Sequence, residues 1–303
     1  RKLYGRYGMQ ATQSDSSSGR TLAWGTYTMH GGEILAVSTL AKLDELAPDL
    51  VALQEVRAHT VGLWRDALQA AGLHVADTFT LAHHHGLPHP GPFREDGLLI
   101  ASRWPVTPID PTSWGLPWPE RLLSVTVHHP DRALELHTTH VPNASTGIRL
   151  YRQGQHALGL DRMMKKLETF EGVHRALTAD PPAPRILTGD LNTPHTEHPD
   201  GTARYWQHSC PAPLRGELEA RWLAAERSVF EGLRDHGFTD AYRAVHGPDG
   251  DAFSWEHGAS GNRYRYDHVF ASREFAVIDC GYLHEFRLNA SHHAGILAEL
   301  AWS

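Results

Sequence analysis

"PRILTGDLNTP", residues 184–194, is an apolar run that stops abruptly at a carboxylate. Ile186 and Leu187 suit a buried strand, and Asp190, Asn192 and Pro194 suit the turn that ends it. The same theme occurs earlier in "DLVALQE", 49–55, a short apolar run closing on Gln54 and Glu55. Two further strand ends carry polar groups: His140 closes "ALELHTTH", and Ser291, His292 and His293 precede the apolar "AGILAEL". In α/β proteins ligands gather where strands end, because strands fix the backbone while the following loops expose side chains. Asp267 sits at the start of an apolar run in "YRYDHVFAS". A carboxylate there is costly unless paired. A histidine is its natural partner, and a structural salt bridge to Arg263 or Arg265 is the plainer alternative.

Around these stretches the chain alternates strands and helices. "TLAWGTYTM", 21–29, reads as a first strand. Leu35, Leu40, Leu43 and Leu46 then recur near helical spacing until Pro48 stops them. Residues 60–71 predict a helix with Thr60 as N-cap and Gly72 past its end. "LAHHHGLPHPGPFRED", 81–96, reads as a loop by its Pro, Gly and His content. "GLLIAS", "LLSVTVHH" and "ALELHTTHV" read as strands, and 149–178 as one long helix ended by "DPPAP". Residues 214–236 predict an amphipathic helix before Gly237, and "FSW", "YRYDHVFAS", "AVIDCGYL" and "GILAEL" form a strand-rich tail. "GLLIASRWPV" (97–106) echoes "DHVFASREFAV" (267–277), and "LVALQE" echoes "RILTGD". Two similar halves packed face to face would produce such echoes. No linker separates them, so residues 21–303 read as one domain behind a polar, Ser/Gly-rich tail, 1–20, of leader-remnant character.

Composition bounds the chemistry. The 303 residues are enough for a sizeable core. A net charge of −7 leaves no global basic field, so any grip on phosphate must be local. Cys210 and Cys280 are too far apart for a paired-cysteine zinc motif and read as free thiols. No run of 18 apolar residues predicts a membrane span, and the compartment, cytoplasmic or secreted after removal of a leader, is left open. The 23 histidines make any single one weak evidence.

Taken in order, "LVALQEV", "GLLIASRWPV", "THVPN", "ILTGDLNTP", "GFTDAYR", "FSW", "YRYDHVFAS" and "SHHAGILAEL" resemble the endonuclease/exonuclease/phosphatase superfamily, the DNase I-like hydrolases. The resemblance spans about residues 21–302. It implies an α/β fold, a four-layer sandwich of two mixed β-sheets flanked by helices. It implies Glu55 as principal Mg²⁺ ligand and Asp190 as the residue that orients or deprotonates the attacking water. Asn192 would hold that water or a phosphate oxygen. His293 would face the scissile phosphate, oriented by Asp267, and His140 would stand beside them. Arg149, after "STG", falls near a basic phosphate contact of some relatives. The implied activity is metal-dependent hydrolysis of a phosphoester: a small molecule, a lipid headgroup or a nucleic acid. A monomer is expected.

Two positions depart from the family pattern. Thr28 stands where the first strand usually ends in Asn, and His292 where Ser-Asp-His is usual. Both belong to the metal and substrate environment. Imidazole suits Mn²⁺ or another transition metal better than Mg²⁺. The departures raise the alternative of a repurposed scaffold acting on a non-phosphate molecule without Mg²⁺. There "WGLPW", 114–118, would line a pocket, whereas its plainer reading is a packed loop.

Overall fold

The computed structural model describes Leu43 and residues 46–85, 96–248, 252–289 and 291–303. The tail 1–20, the strand 21–29 and Thr28 lie outside the described residues. Two sheets stack face to face. The first has the order β1 (Leu50–Arg57), β3 (Asp96–Ser102), β2 (His74–Asp77), all antiparallel. The second runs β10 (Phe238–Asp240), β13 (Asp267–Ser272), β7 (Arg185–Asp190), β6 (Leu134–His140), β5 (Leu122–Val127), β4 (Val106–Pro108). It is mixed, since β6 and β7 are parallel and its other neighbours antiparallel. Short ribbons β8–β9 (Thr196–Glu197, Ala203–Arg204) and β11–β12 (Trp255–Glu256, Arg263–Tyr264) lie beyond its strand ends. A long hairpin, β14 (Phe275–Leu283) and β15 (Gly295–Trp302), completes the strands.

Side-chain alternation sorts every strand into layers. Leu50, Ala52, Leu98 and Ile100 of the first sheet meet Leu123, Val125, Leu134, Leu136, Ile186, Val269 and Ala271 of the second in one buried core. Ile296, Ala298 and Leu300 of β15 join it. The opposite faces carry Val51, Leu53 and Leu99 against Trp64 and Leu68 of helix α1 (Val61–Ala70). Leu187 and Phe270 pack instead against Met163, Leu167, Phe170 and Trp222 of the helices on the other flank. Helix, sheet, sheet, helix is the expected four-layer sandwich, but among the described residues only the second sheet is mixed and the first is antiparallel throughout. Each fully buried Leu, Ile or Phe contributes roughly 1.5–3 kcal/mol. β1 and β3 lie in the first sheet and β7 and β13 in the second, so each echoed pair of sequences is divided between the two sheets.

Several local expectations change. Helix α2 (Thr78–His85) occupies the start of the stretch expected to be a loop, and residues 86–95 lie outside the described residues. Thr60 does not cap α1 through its side chain; its hydroxyl donates to Arg57 O at 3.2 Å. Gly72 does end that helix, with φ +84° and Leu73 N–H donating to Leu68 O. The single helix expected over 149–178 is two, α3 (Ser145–Arg152) and α4 (His156–Leu177). The chain turns at Gly154, whose φ is +86°, and the two helices touch at glycines, a Cβ on Gly147 falling 2.7 Å from Gly159 O. The helix over 214–236 stops as α5 (Glu217–Phe230) and tightens to a 3₁₀ turn, Gly232–His236. Helices α6 (Ala241–His246) and α7 (Glu285–Asn289) were not anticipated. Trp114 is buried with Leu116 against the flank of α4, a packed loop. Both cysteines are free and buried.

Candidate active site

Register brings three of the predicted residues into one row. His140 is the cross-strand partner of Asp190, and Asp190 is the partner of Asp267. All three follow the alternation of the inter-sheet core: Leu134, Leu136 and His140; Ile186 and Asp190; Asp267, Val269 and Ala271. The parallel β6–β7 pairing permits this only because residue 189 is glycine. Its φ is +135°, and a Cβ there would lie 2.0 Å from Thr139 O.

Glu55 joins from the other sheet through a β-bulge. Between Leu53↔Leu99 and Val56↔Gly97 the register slips, so Gln54 and Glu55 together face Leu98. Strict alternation would put Glu55 on the outer face with Val51 and Leu53. Its left-handed backbone, φ +55°, resets the alternation and returns Val56 to the outer core. Gln54 Nε2 then donates across the sandwich to Thr138 Oγ1 at 2.6 Å. Glu55 Oε1 comes within 3.5 Å of His140 Nε2, and Asp190 Oδ2 lies 3.7 Å from the same atom.

His293 Nδ1 donates to Asp267 Oδ2 at 2.8 Å, both side chains buried. Arg263 pairs with Glu256, and Arg265 with Glu197 and Asp240, so the salt-bridge alternative for Asp267 is not realised. The "FSW" motif ties the pair together. Ser254 Oγ accepts from the N–H groups of Tyr266 and Asp267, Ser254 O accepts from Ala294 N–H, and Trp255 bridges His293. Burial alone would lower the His293 pKa, but the Asp267 carboxylate, backed by Asp190 and Glu55, raises it to about 9. The pairing with Asp267 thus favours the imidazolium form of His293.

His140 takes the opposite state. Burial and then the neighbouring Arg121 guanidinium bring its pKa down to about 4, although Glu55 pulls upward. Arg121 Nη1 donates to His140 Nδ1 at 2.6 Å, which leaves the ring proton on Nε2, facing the two carboxylates. Arg121 itself leans on Trp118, 5.9 Å from the ring centroid.

Asn192 has φ +49°, a conformation Asn tolerates better than most residues. Its N–H donates to Asp190 Oδ1 at 2.7 Å, and its side-chain amide to Val141 O and Asp190 Oδ2. Burial, then the charge of Asp267, pushes the Asp190 carboxyl well above the usual range.

The structure thus unites Glu55, His140, Asp190, Asn192, Asp267 and His293. His292 is exposed beside the buried His293, and Arg149 is exposed on α3. Among the described residues no three His, Cys, Asp or Glu side chains form a closed metal cage. Glu55 and Asp190 instead offer two hard oxygen donors at one spot. That fits Mg²⁺, which binds through one or two carboxylates and keeps waters and substrate oxygens.

The sequence model of the endonuclease/exonuclease/phosphatase family matches residues 35–288. The chain belongs to this family. The Neisseria 3′ phosphatase NExo, solved bound to product DNA hairpin, is similar in fold at 19% identity. Its TM-score is 0.62, with 93% of this chain and all of that chain covered. An AP endonuclease from Archaeoglobus fulgidus is similar at 19% identity, TM-score 0.59, covering 92% and 98% of the two chains. The Xenopus laevis APE2 catalytic domain follows at 17% identity, TM-score 0.62, covering 93% and 92%. No curated protein matches this sequence. No helix of the described residues is long and apolar enough to cross a membrane.

Sequence reading missed Arg121, Lys166 and Glu226. Arg121 precedes a strand as an ordinary loop residue would. The other two carried a signal: each is a charge on the apolar stripe of its helix, Lys166 between Met163 and Phe170, Glu226 between Trp222 and Val229.

Proposed function

We propose that this family member hydrolyses phosphoester bonds with a divalent cation, Mg²⁺ first, held by Glu55 and open to substrate. The row His140–Asp190–Asp267, closed by His293 on Asp267, carries this reading. Glu55 would hold the cation, and exposed His292 is the candidate for an outer contact that tunes metal choice. When bound, the cation polarises the phosphoryl group.

The chain's own residues supply the rest. Asp190, with a raised pKa, takes a proton from the attacking water, and Asn192 fixes the carboxylate that does so. Cationic His293 and the Nε2–H of neutral His140 offset the charge that develops on the phosphate oxygens. The new bond joins water oxygen to phosphorus and the bond to the leaving oxygen breaks; Asp190 keeps the proton of the water, cationic His293 gives one to the leaving oxygen, and exchange with solvent then returns both groups to their starting states. Arg149, exposed at the start of the helical flank, is a candidate contact for a second substrate phosphate. This reading gives each of the six a role at a phosphate, which is why it is preferred to the non-phosphate alternative.

The test is turnover of bis-p-nitrophenyl phosphate, a 3′-phosphorylated oligonucleotide and plasmid DNA with Mg²⁺, Mn²⁺ or Zn²⁺. Hydrolysis of any of them that falls roughly 10²–10⁴-fold in Asp190→Asn supports the reading. No turnover with any metal overturns it.

A further inference from the structure

Asn192 and Thr193 are gripped by three buried side chains outside the row His140–Asp190–Asp267. Lys166 on α4 donates from Nζ to Asn192 O at 2.8 Å and pairs with Glu226 Oε1 at 3.1 Å. Glu226 on α5 accepts from Thr193 Oγ1 at 3.0 Å, and its other oxygen accepts from Trp206 N–H at 3.0 Å. His268 on β13, next to Asp267, donates from Nε2 to Thr193 O at 2.9 Å. Lys166, Glu226 and His268 are each at most 1% exposed.

Stability alone is a poor reason for this arrangement. A buried ion pair loses the hydration of both partners, and apolar side chains of similar volume are often as stabilising or more so. Lys166 and Glu226 interrupt the apolar stripes through which α4 and α5 otherwise pack. What a Met–Leu pair could not do is hold a carbonyl and a hydroxyl of the loop that follows β7. That loop has a residue in the left-handed region, Asn192, whose amide must reach both Asp190 and Val141. Successive carbonyls held by Lys166 and His268, with the intervening hydroxyl on Glu226, leave this conformation no room to relax.

We propose that Lys166, Glu226 and His268 are positioning residues that hold the Asn192–Thr193 segment so that Asn192 stays clipped to Asp190. The inference rests on the phosphoesterase reading for its kinetic consequence, not for its structural one. The test uses the full chain with Lys166→Met and Glu226→Gln combined, which removes the ion pair without stranding a charge. The expected result is a KM for bis-p-nitrophenyl phosphate within about twofold of the parent and a kcat lower by about 10–100-fold, the scale of a small misplacement of a reacting group. The Asn192 side-chain amide protons, bonded to Val141 O and Asp190 Oδ2, should exchange slowly with solvent at shifts away from those of a free amide in the parent, and should exchange faster at near-free shifts in the double variant. Parent-like kcat together with a parent-like amide overturns the proposal. If the parent hydrolyses no phosphoester, the functional reading fails, and the amide resonances alone decide the positioning role. If the double variant does not fold, His268→Gln, which can still donate to Thr193 O, is compared with His268→Leu. Retained kcat and amide signals in the first and loss in the second support the proposal; equal behaviour overturns it.

Discussion

Arg121 Nη1 donates to His140 Nδ1 at 2.6 Å, with both side chains buried. A guanidinium has no acceptor, so the bond runs one way and sets the tautomer of the ring. Replacing Arg121 by Met should lower kcat/KM for a phosphodiester about 10–100-fold, the scale of a charge-assisted hydrogen bond. Nitrogen-15 shifts of His140 should show the Nε2–H tautomer in the parent and a mixture in the variant. An unchanged tautomer would remove Arg121 from this role.

Asp267→Asn keeps the shape of the site and removes the charge beside His293. In metal-free protein the His293 pKa should fall from about 9 toward or below the ordinary value near 6.5. The variant ring therefore loses its proton at lower pH than the parent ring. Proton NMR titration of the His293 ring reads this, and kcat should drop by roughly 10²–10⁴.

Gly189 faces the backbone of Thr139 on the parallel neighbour β6. Gly189→Ala places a methyl 2.0 Å from Thr139 O at a φ of +135°. Clash and strain together should cost on the order of 4 kcal/mol, the range reserved for such backbone defects. Urea unfolding measures it, and a loss under about 1 kcal/mol would show that β6 and β7 can separate without penalty.

Glu135 sits at the far end of β6 from His140, where burial is outweighed by His137 and Arg185, which bring its pKa down to about 2. The folded value lies below the ordinary value near 4.3. Its stabilising contribution is thus fully present above about pH 4 and is lost as pH falls toward about 2. Thermal unfolding followed between pH 5 and 2 should show a shallower acid slope in Glu135→Gln than in the parent, with a lower melting temperature at pH 7.

The sequence by itself determined the strand ends, and the layers came with the family resemblance its motifs carry. Asp190 and His140 each close an apolar run, and Asp267 opens one, which marks them in the sequence; that they share a face with Ile186, Leu136 and Val269 follows from strand geometry once the strands are paired. The sequence could not place Glu55, because "LVALQEV" is buried on both faces and offers no alternation from which to read the bulge. Nor could the residues alone exclude Arg263 or Arg265 as the partner of Asp267 in place of a histidine. Glu197 and Asp240, which occupy Arg265, lie 68 and 25 residues from it along the chain. Lys166 and Glu226 were visible as charges on apolar stripes, but their partner is a backbone carbonyl, and carbonyls leave no mark on a sequence. Side-chain periodicity is a property of one strand or helix. A hydrogen-bond partner is a property of two segments brought together, and only the packed tertiary structure decides which two.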